Sequence, residues 1–200
     1  MTELSRIMQS SNTQTEGPVG PGDLLVGYDE IAIPTPVEEL FGRRGPLALE
    51  IGFGSGRFLT WLSQMHPDWN ILGVEVSAAC HGRTWRRLQS DEVRNVRIVK
   101  ATGEFIVRDV CPQASIRRVF VNFPDPWPKE RHRQRRLLTA GFFEMLSGRL
   151  GSDGELWLTS DHEEYFSWAV EQGRKTGLYD IRRREPVRCH RCRIVWKDGQ

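Results

Sequence analysis

The sequence predicts an α/β fold: a mostly parallel seven-stranded sheet with helices on both faces and an antiparallel hairpin at one edge. Short apolar runs alternate with segments of helical apolar spacing over roughly 150 residues. The 200 residues, 38% hydrophobic and 27% charged, suffice for one domain with a single sizeable core. The last piece, Tyr179 to Lys197, reads as two antiparallel strands.

The elements follow in order. Ser10 to Gly22 is built from Ser, Thr, Gly and Pro with little apolar content, so residues 1–27 are expected to be a flexible leader to a single domain over 28–200. From Tyr28 to Pro46 prolines interrupt short apolar pieces, which predicts a segment lying against the domain rather than a regular element. LALEIGF is a buried strand, GRFLTWLSQMH a helix with Phe58, Leu59 and Leu62 on one face, and NILGVEV a second strand. Ser77 to Val93 is helical, VRIVKA a strand, GEFIVRDV a short helix, and RRVFVNF a strand that runs into the loop PDPWP. LLTAGFFEMLSGRL is an amphipathic helix, GELWLTSD a strand, and HEEYFSWAVEQGRKTG a helix closed by Gly177.

Lysine and arginine total 28 against 26 acids, a net charge of +2 that excludes a uniformly basic coat. The first fifty residues hold three arginines and eight acids, so −5 there leaves +7 for the rest. Met1 to Asn12 show no apolar region after a basic stretch and no run of eighteen apolar residues occurs, which predicts a cytoplasmic protein with neither signal peptide nor membrane contact. Four scattered cysteines agree with a reducing compartment. Cys189 and Cys192 have C-x-x-C spacing but lack a second ligand pair, so no metal site is expected.

In parallel sheets of this kind ligands bind beyond the carboxyl ends of the strands. After the first core strand come Glu50, Gly52, Gly54 and Gly56, where alternating glycines let the chain turn and a ligand approach closely. Glu75 ends the next strand and suits a ribose diol. Two donors share that geometry, a nicotinamide dinucleotide and S-adenosylmethionine. The G-x-G-x-G spacing and the acid at Glu50 favour S-adenosylmethionine, because a carboxylate repels pyrophosphate and attracts an amino group or sulfonium.

The stretch VFVNFPDPWPKERHRQRR delivers Asp125 and Trp127 on a loop stiffened by three prolines, followed by Lys129, Arg131, Arg133, Arg135 and Arg136. An acid, an aromatic plate and a basic run suit an RNA base with its phosphates. The bland alternative is a proline-rich turn with a solvated basic face.

LEIGFGSG, GVEVS, VFVNFPDPWPKERHRQRRL and LTSD together resemble the bacterial tRNA (guanine-N7-)-methyltransferases over about Phe41 to Tyr179. The resemblance implies a Rossmann-like class I methyltransferase fold and methyl transfer from S-adenosylmethionine to a variable-loop guanosine of tRNA, position 46. It implies that Glu50 and Glu75 bind the donor, that Asp125 borders the donor and is catalytic, and that Lys129 and Asp161 bind substrate. The chain departs from the family pattern twice. Thr102 stands where an acid usually contacts the donor, with Glu104 two places on as a substitute. The C-terminal Thr-Lys-Phe/Tyr-Glu-like stretch is absent, which passes that role to residues such as Arg188, His190 or Arg193. Two other readings remain at this point: an RNA-binding protein of the same fold with another or lost substrate, and an NAD(P)-dependent oxidoreductase.

Overall fold

The computed structural model describes residues 25–26, 33–184 and 190–196, with residues 25, 26, 183, 184 and 190–196 described by their backbone. Cys189 and Arg188 lie outside the described residues, as do the side chains of His190, Cys192 and Arg193.

Eight strands form one sheet in the order β1-β4-β3-β2-β5-β6-β8-β7. They are β1 (Leu25–Val26), β2 (Leu47–Ile51), β3 (Asn70–Glu75), β4 (Val96–Lys100), β5 (Ile116–Asn122), β6 (Leu150–Ser160), β7 (Tyr179–Arg184) and β8 (His190–Trp196). The expected count was seven; the eighth is β1, two residues of the expected leader that pair in parallel with β4. Neighbouring strands from β1 to β6 are parallel, and the β7–β8 hairpin closes the edge in antiparallel fashion with β8 against β6.

The helices are α1 (Val37–Phe41), α2 (Arg57–Met65), α3 (Ala78–Ser90), α4 (Gly103–Phe105, continued by a π-helical turn Ile106–Val110), α5 (Ala140–Ser147) and α6 (Glu163–Lys175). Helix α1 corrects the expectation of an irregular segment: Pro36 precedes it, Leu40 and Phe41 are buried, and Gly42 ends it in the left-handed conformation. Side-chain caps start several helices where the sequence offers an acceptor: Ser77 for α3, Thr139 for α5 and His162 for α6.

Every residue of β2 is buried, as parallel strands covered on both faces require. One apolar cluster joins α1, α5, α6 and the segment 103–110 to one face of the sheet and includes Phe142, Phe143, Tyr165 and Phe166. A second cluster packs Leu59, Leu62 and Leu88 of α2 and α3 on Ala48, Ile71 and Ile98. From β2 the chain winds outward through β3 to β4, then crosses to β5 and β6 on the other side of β2. The switch point therefore lies between β2 and β5, and the carboxyl ends of β2, β3 and β5 converge there.

Candidate functional site

Glu50 occupies the penultimate position of β2, opposite Gly73 of β3 and Phe120 of β5. The residue is 2% exposed. Asn122, at the end of β5, donates from Nδ2 to Glu50 Oε1 at 3.4 Å, while Oε2 is buried with no hydrogen-bond partner. Burial pushes the carboxyl up to about 8; the Asn122 bond opposes the shift and the nearby Glu75 charge adds to it. A buried carboxyl oxygen left open in this way suits a ligand that brings its own N–H donors or positive charge.

The glycine loop beyond it takes the expected form. Gly52, Gly54 and Gly56 all have positive φ, at 80, 51 and 71°. A side chain built on Gly54 would point into open space, so the backbone there is a bare cradle; one on Gly56 would collide with Thr84 of α3. Glu75 closes the loop from β3. Its Oε2 accepts from the Gly54 N–H at 3.1 Å, and its Oε1 accepts from the Val76 and Ser77 N–H groups at 2.9 and 3.0 Å. The carboxylate is thereby oriented with lone pairs left over.

A cavity of about 930 Å³ opens from Glu50, Gly52 and Gly54 along α2. Asn122, Phe123 and Thr159 line it, as do the aromatic rings of Phe58, Trp61, Trp69, Phe120 and Trp157 and the side chains of Arg57 and Arg118. By sequence Trp61 and Trp157 stand at apolar positions of a helix and a strand, which reads as core or interface, and Trp127 alone stands on a loop placed to touch a ligand. Trp61 is instead 51% exposed on the cavity wall, because it sits on the helix face opposite Leu59 and Leu62.

The loop after β5 leaves the sheet at Phe123 and carries Asp125, which is exposed. Phe123 and Trp127 adopt φ of 51 and 41° without being glycines. Lys129 precedes a 3-10 helix, Glu130–Arg135, that bears the basic run. Lys129, Arg131 and Arg135 are exposed, and the Arg135 guanidinium lies 5.0 Å from the Trp127 ring centre. His132 meets the same ring edge-on. Arg133 pairs with Glu130 at 3.0 Å and with Glu164 at 3.2 Å. Arg136 differs from the expected substrate contact: it is 2% exposed, turned inward onto α6 and the loop itself.

Thr102 caps α4, accepting from the Phe105 N–H at 3.3 Å, and Glu104 is exposed in its first turn. Asp161 is exposed at the turn between β6 and α6. The structure therefore gathers Glu50, Gly52 and Gly54 in one lining and reaches Glu75 through Gly54. Thr102, Glu104, Asp125, Lys129 and Asp161 stand outside that lining. Sequence reasoning missed Asn122, although a polar residue ending the apolar run VFVNF was a usable signal.

Residues 44–195 match the family described as "Putative methyltransferase". The chain is 32% identical over 154 residues to the tRNA (guanine-N(7)-)-methyltransferase of Geobacillus thermodenitrificans, covering 74% of this chain and 71% of that one. The chain belongs to the tRNA (guanine-N7-)-methyltransferase family. The enzyme of that name from Thermus thermophilus is 48% identical over 169 residues, 83% of this chain but 54% of its own length. The chain thus spans about half the length of that relative. A SAM-dependent methyltransferase from Aquifex aeolicus shares the fold, with a TM-score of 0.60 at 16% identity over 80% of this chain and 89% of its own. Among the described residues no helix is long and apolar enough to cross a membrane.

Proposed function

We propose that the protein transfers a methyl group from S-adenosylmethionine to N7 of a guanosine in tRNA, the variable-loop guanosine at position 46. The observation that carries this reading is the open oxygen of buried Glu50 at the head of a cavity beside the loop of Asp125. Family relatives bear that activity in their names. The G-x-G-x-G spacing departs from the G-x-G-x-x-G of a dinucleotide loop, which disfavours a dinucleotide.

The residues fit the donor. Glu50 Oε2 accepts from its amino group, the bare backbone at Gly52 and Gly54 lets it lie close, and the oriented Glu75 carboxylate takes its ribose hydroxyls. Bound there, S-adenosylmethionine supplies an electrophilic methyl on a sulfonium. Guanine N7 offers a lone pair and no proton, so the protein needs no general base. Its task is alignment, worth about 7–11 kcal/mol in favourable cases, and stabilisation of the positive charge that moves to the purine. Asp125 supplies that fixed negative charge. Trp127 offers a ring face, Asp161 an acceptor for the guanine edge, and Lys129, Arg131 and Arg135 solvent-facing cations for phosphate.

The test is incubation with methyl-labelled donor and unmodified tRNA, followed by mapping of the labelled base. Label on a single guanosine of the variable loop is expected. Label on another base, or none, overturns the reading.

A further inference from the structure

We propose that Arg136 is a positioning residue: it holds the backbone of the Asp125 loop from behind and contacts no RNA phosphate. The proposal rests on the reading of that loop as the methyl-transfer site.

Arg136 belongs by sequence to the basic run, yet its guanidinium is fully enclosed where Arg131 and Arg135 are exposed. Its Nε donates to the Pro126 carbonyl at 2.8 Å, and its Nη2 donates to the Trp127 carbonyl at 3.4 Å. The same Nη2 approaches Glu164 Oε1 at 3.5 Å. The guanidinium plane is packed against the rings of Trp168 and Tyr165, 4.8 and 5.5 Å from their centres. Three of these partners, Glu164, Tyr165 and Trp168, lie on α6, so Arg136 joins the loop after β5 to the helix after β6.

The bonded carbonyls sit where the loop needs support. Phe123 and Trp127 bracket Asp125 in left-handed backbone, a conformation that residues with a Cβ leave unless their surroundings impose it. Pro124, Pro126 and Pro128 have no N–H to donate, so the loop cannot close on itself through those positions. A rigid fork of donors reaching two successive carbonyls supplies what the loop's own amides cannot. A lysine can reach one carbonyl but cannot reproduce the fork.

Arg136→Lys, Arg136→Ala and, as contrast, Arg135→Ala are compared with wild type. For Arg136→Lys the expected result is a cooperative melt, tRNA affinity within about twofold of wild type with an unchanged salt slope, and kcat lowered about tenfold or more at unchanged KM. Trypsin should also cleave after Lys129 and Arg131 several times faster in that variant. Arg135→Ala should instead weaken tRNA binding and flatten its salt dependence, by about one in slope. Weaker binding with a flattened slope in Arg136→Ala, which unlike lysine removes the charge, places Arg136 on phosphate and overturns the proposal. So does a variant with wild-type kcat and wild-type cleavage. Should Arg136→Ala not fold, the lysine variant carries the test. A wild-type protein without methyl transfer sinks the functional reading alone; faster cleavage of the variant loop still supports the positioning role.

Discussion

At the carboxyl end of β2 the chain turns through left-handed backbone at Gly52, Gly54 and Gly56; at the carboxyl end of β5 it does so at Phe123 and Trp127. In the first loop the conformation costs little, because no Cβ opposes it, and the missing side chains also leave room for a ligand. In the second loop each turn carries a penalty of about 1–2 kcal/mol, and side chains elsewhere must hold it. Arg136 and α6 do so in the structure. The first loop is therefore a local device and the second a tertiary one, and substitutions should act on them in opposite ways.

The largest expected effect separates chemistry from scaffold. Asp125→Ala should lower kcat by about 10²–10³ while leaving the thermal midpoint unchanged, since the side chain is exposed. Single-turnover methylation of unmodified tRNA measures the first and calorimetry the second. A variant with wild-type turnover removes Asp125 from the reaction.

Next comes Gly56→Ala, which breaks the local device. Its Cβ would meet the Thr84 side chain, and its φ of 71° favours glycine. Overpacking and left-handed strain together should cost about 2–4 kcal/mol, read from urea unfolding. Thr84→Ser in the same chain, which removes the facing methyl, should recover part of that loss. An alanine variant as stable as wild type would mean that α2 and α3 are not packed through this point.

The same contrast explains what the sequence disclosed. The alternation of apolar runs and helical periods sufficed for the parallel sheet and the edge hairpin, because each is set by local pattern and chain order; the switch point needed the strand order. Glycine spacing disclosed the first loop for the same reason. Arg136 could not be told from Arg131 or Arg135 by sequence, since all three stand in one basic run and only packing against Tyr165 and Trp168 turns one of them inward. Trp61 reads as core by sequence, because an aromatic residue on an amphipathic helix looks like core until its face is seen to line a cavity. Asn122 acquires meaning only once β5 is known to lie beside β2. Helix α1 was hidden by the prolines around it, one of which starts it.

Glu50 offers a smaller effect that tests the site without substrate. In the donor-free protein its carboxyl is held at about 8, against 4.5 for an unburied glutamate. Between those values the folded state keeps a proton that the unfolded state has lost. Stability should therefore fall as pH rises from 5 to 8, by at most about 1.4 kcal/mol per unit, and level off above 8. Glu50→Gln should abolish that slope. A cationic donor requires the ionised form, so its affinity should rise with pH across the same window and binding should release a proton, which calorimetry in buffers of different ionisation enthalpy detects. A wild-type slope in the glutamine variant would assign the linkage to another group.

The smallest effect is expected at Phe123→Gly, and it decides between the two modes of holding a loop. Glycine removes the left-handed penalty at φ 51° but frees the unfolded chain, and the Phe123 side chain, 54% exposed, has little burial to lose. These terms should cancel to within about 1 kcal/mol. If Arg136 determines the loop, its two carbonyl bonds survive the substitution, so kcat should fall far less than in Arg136→Lys. The double variant, which combines a flexible residue with a lost clamp, should fall further than the two single effects multiplied, because each change then exposes the other. A large kcat loss in Phe123→Gly alone would put control of Asp125 in the stiffness of Phe123 and leave Arg136 as packing.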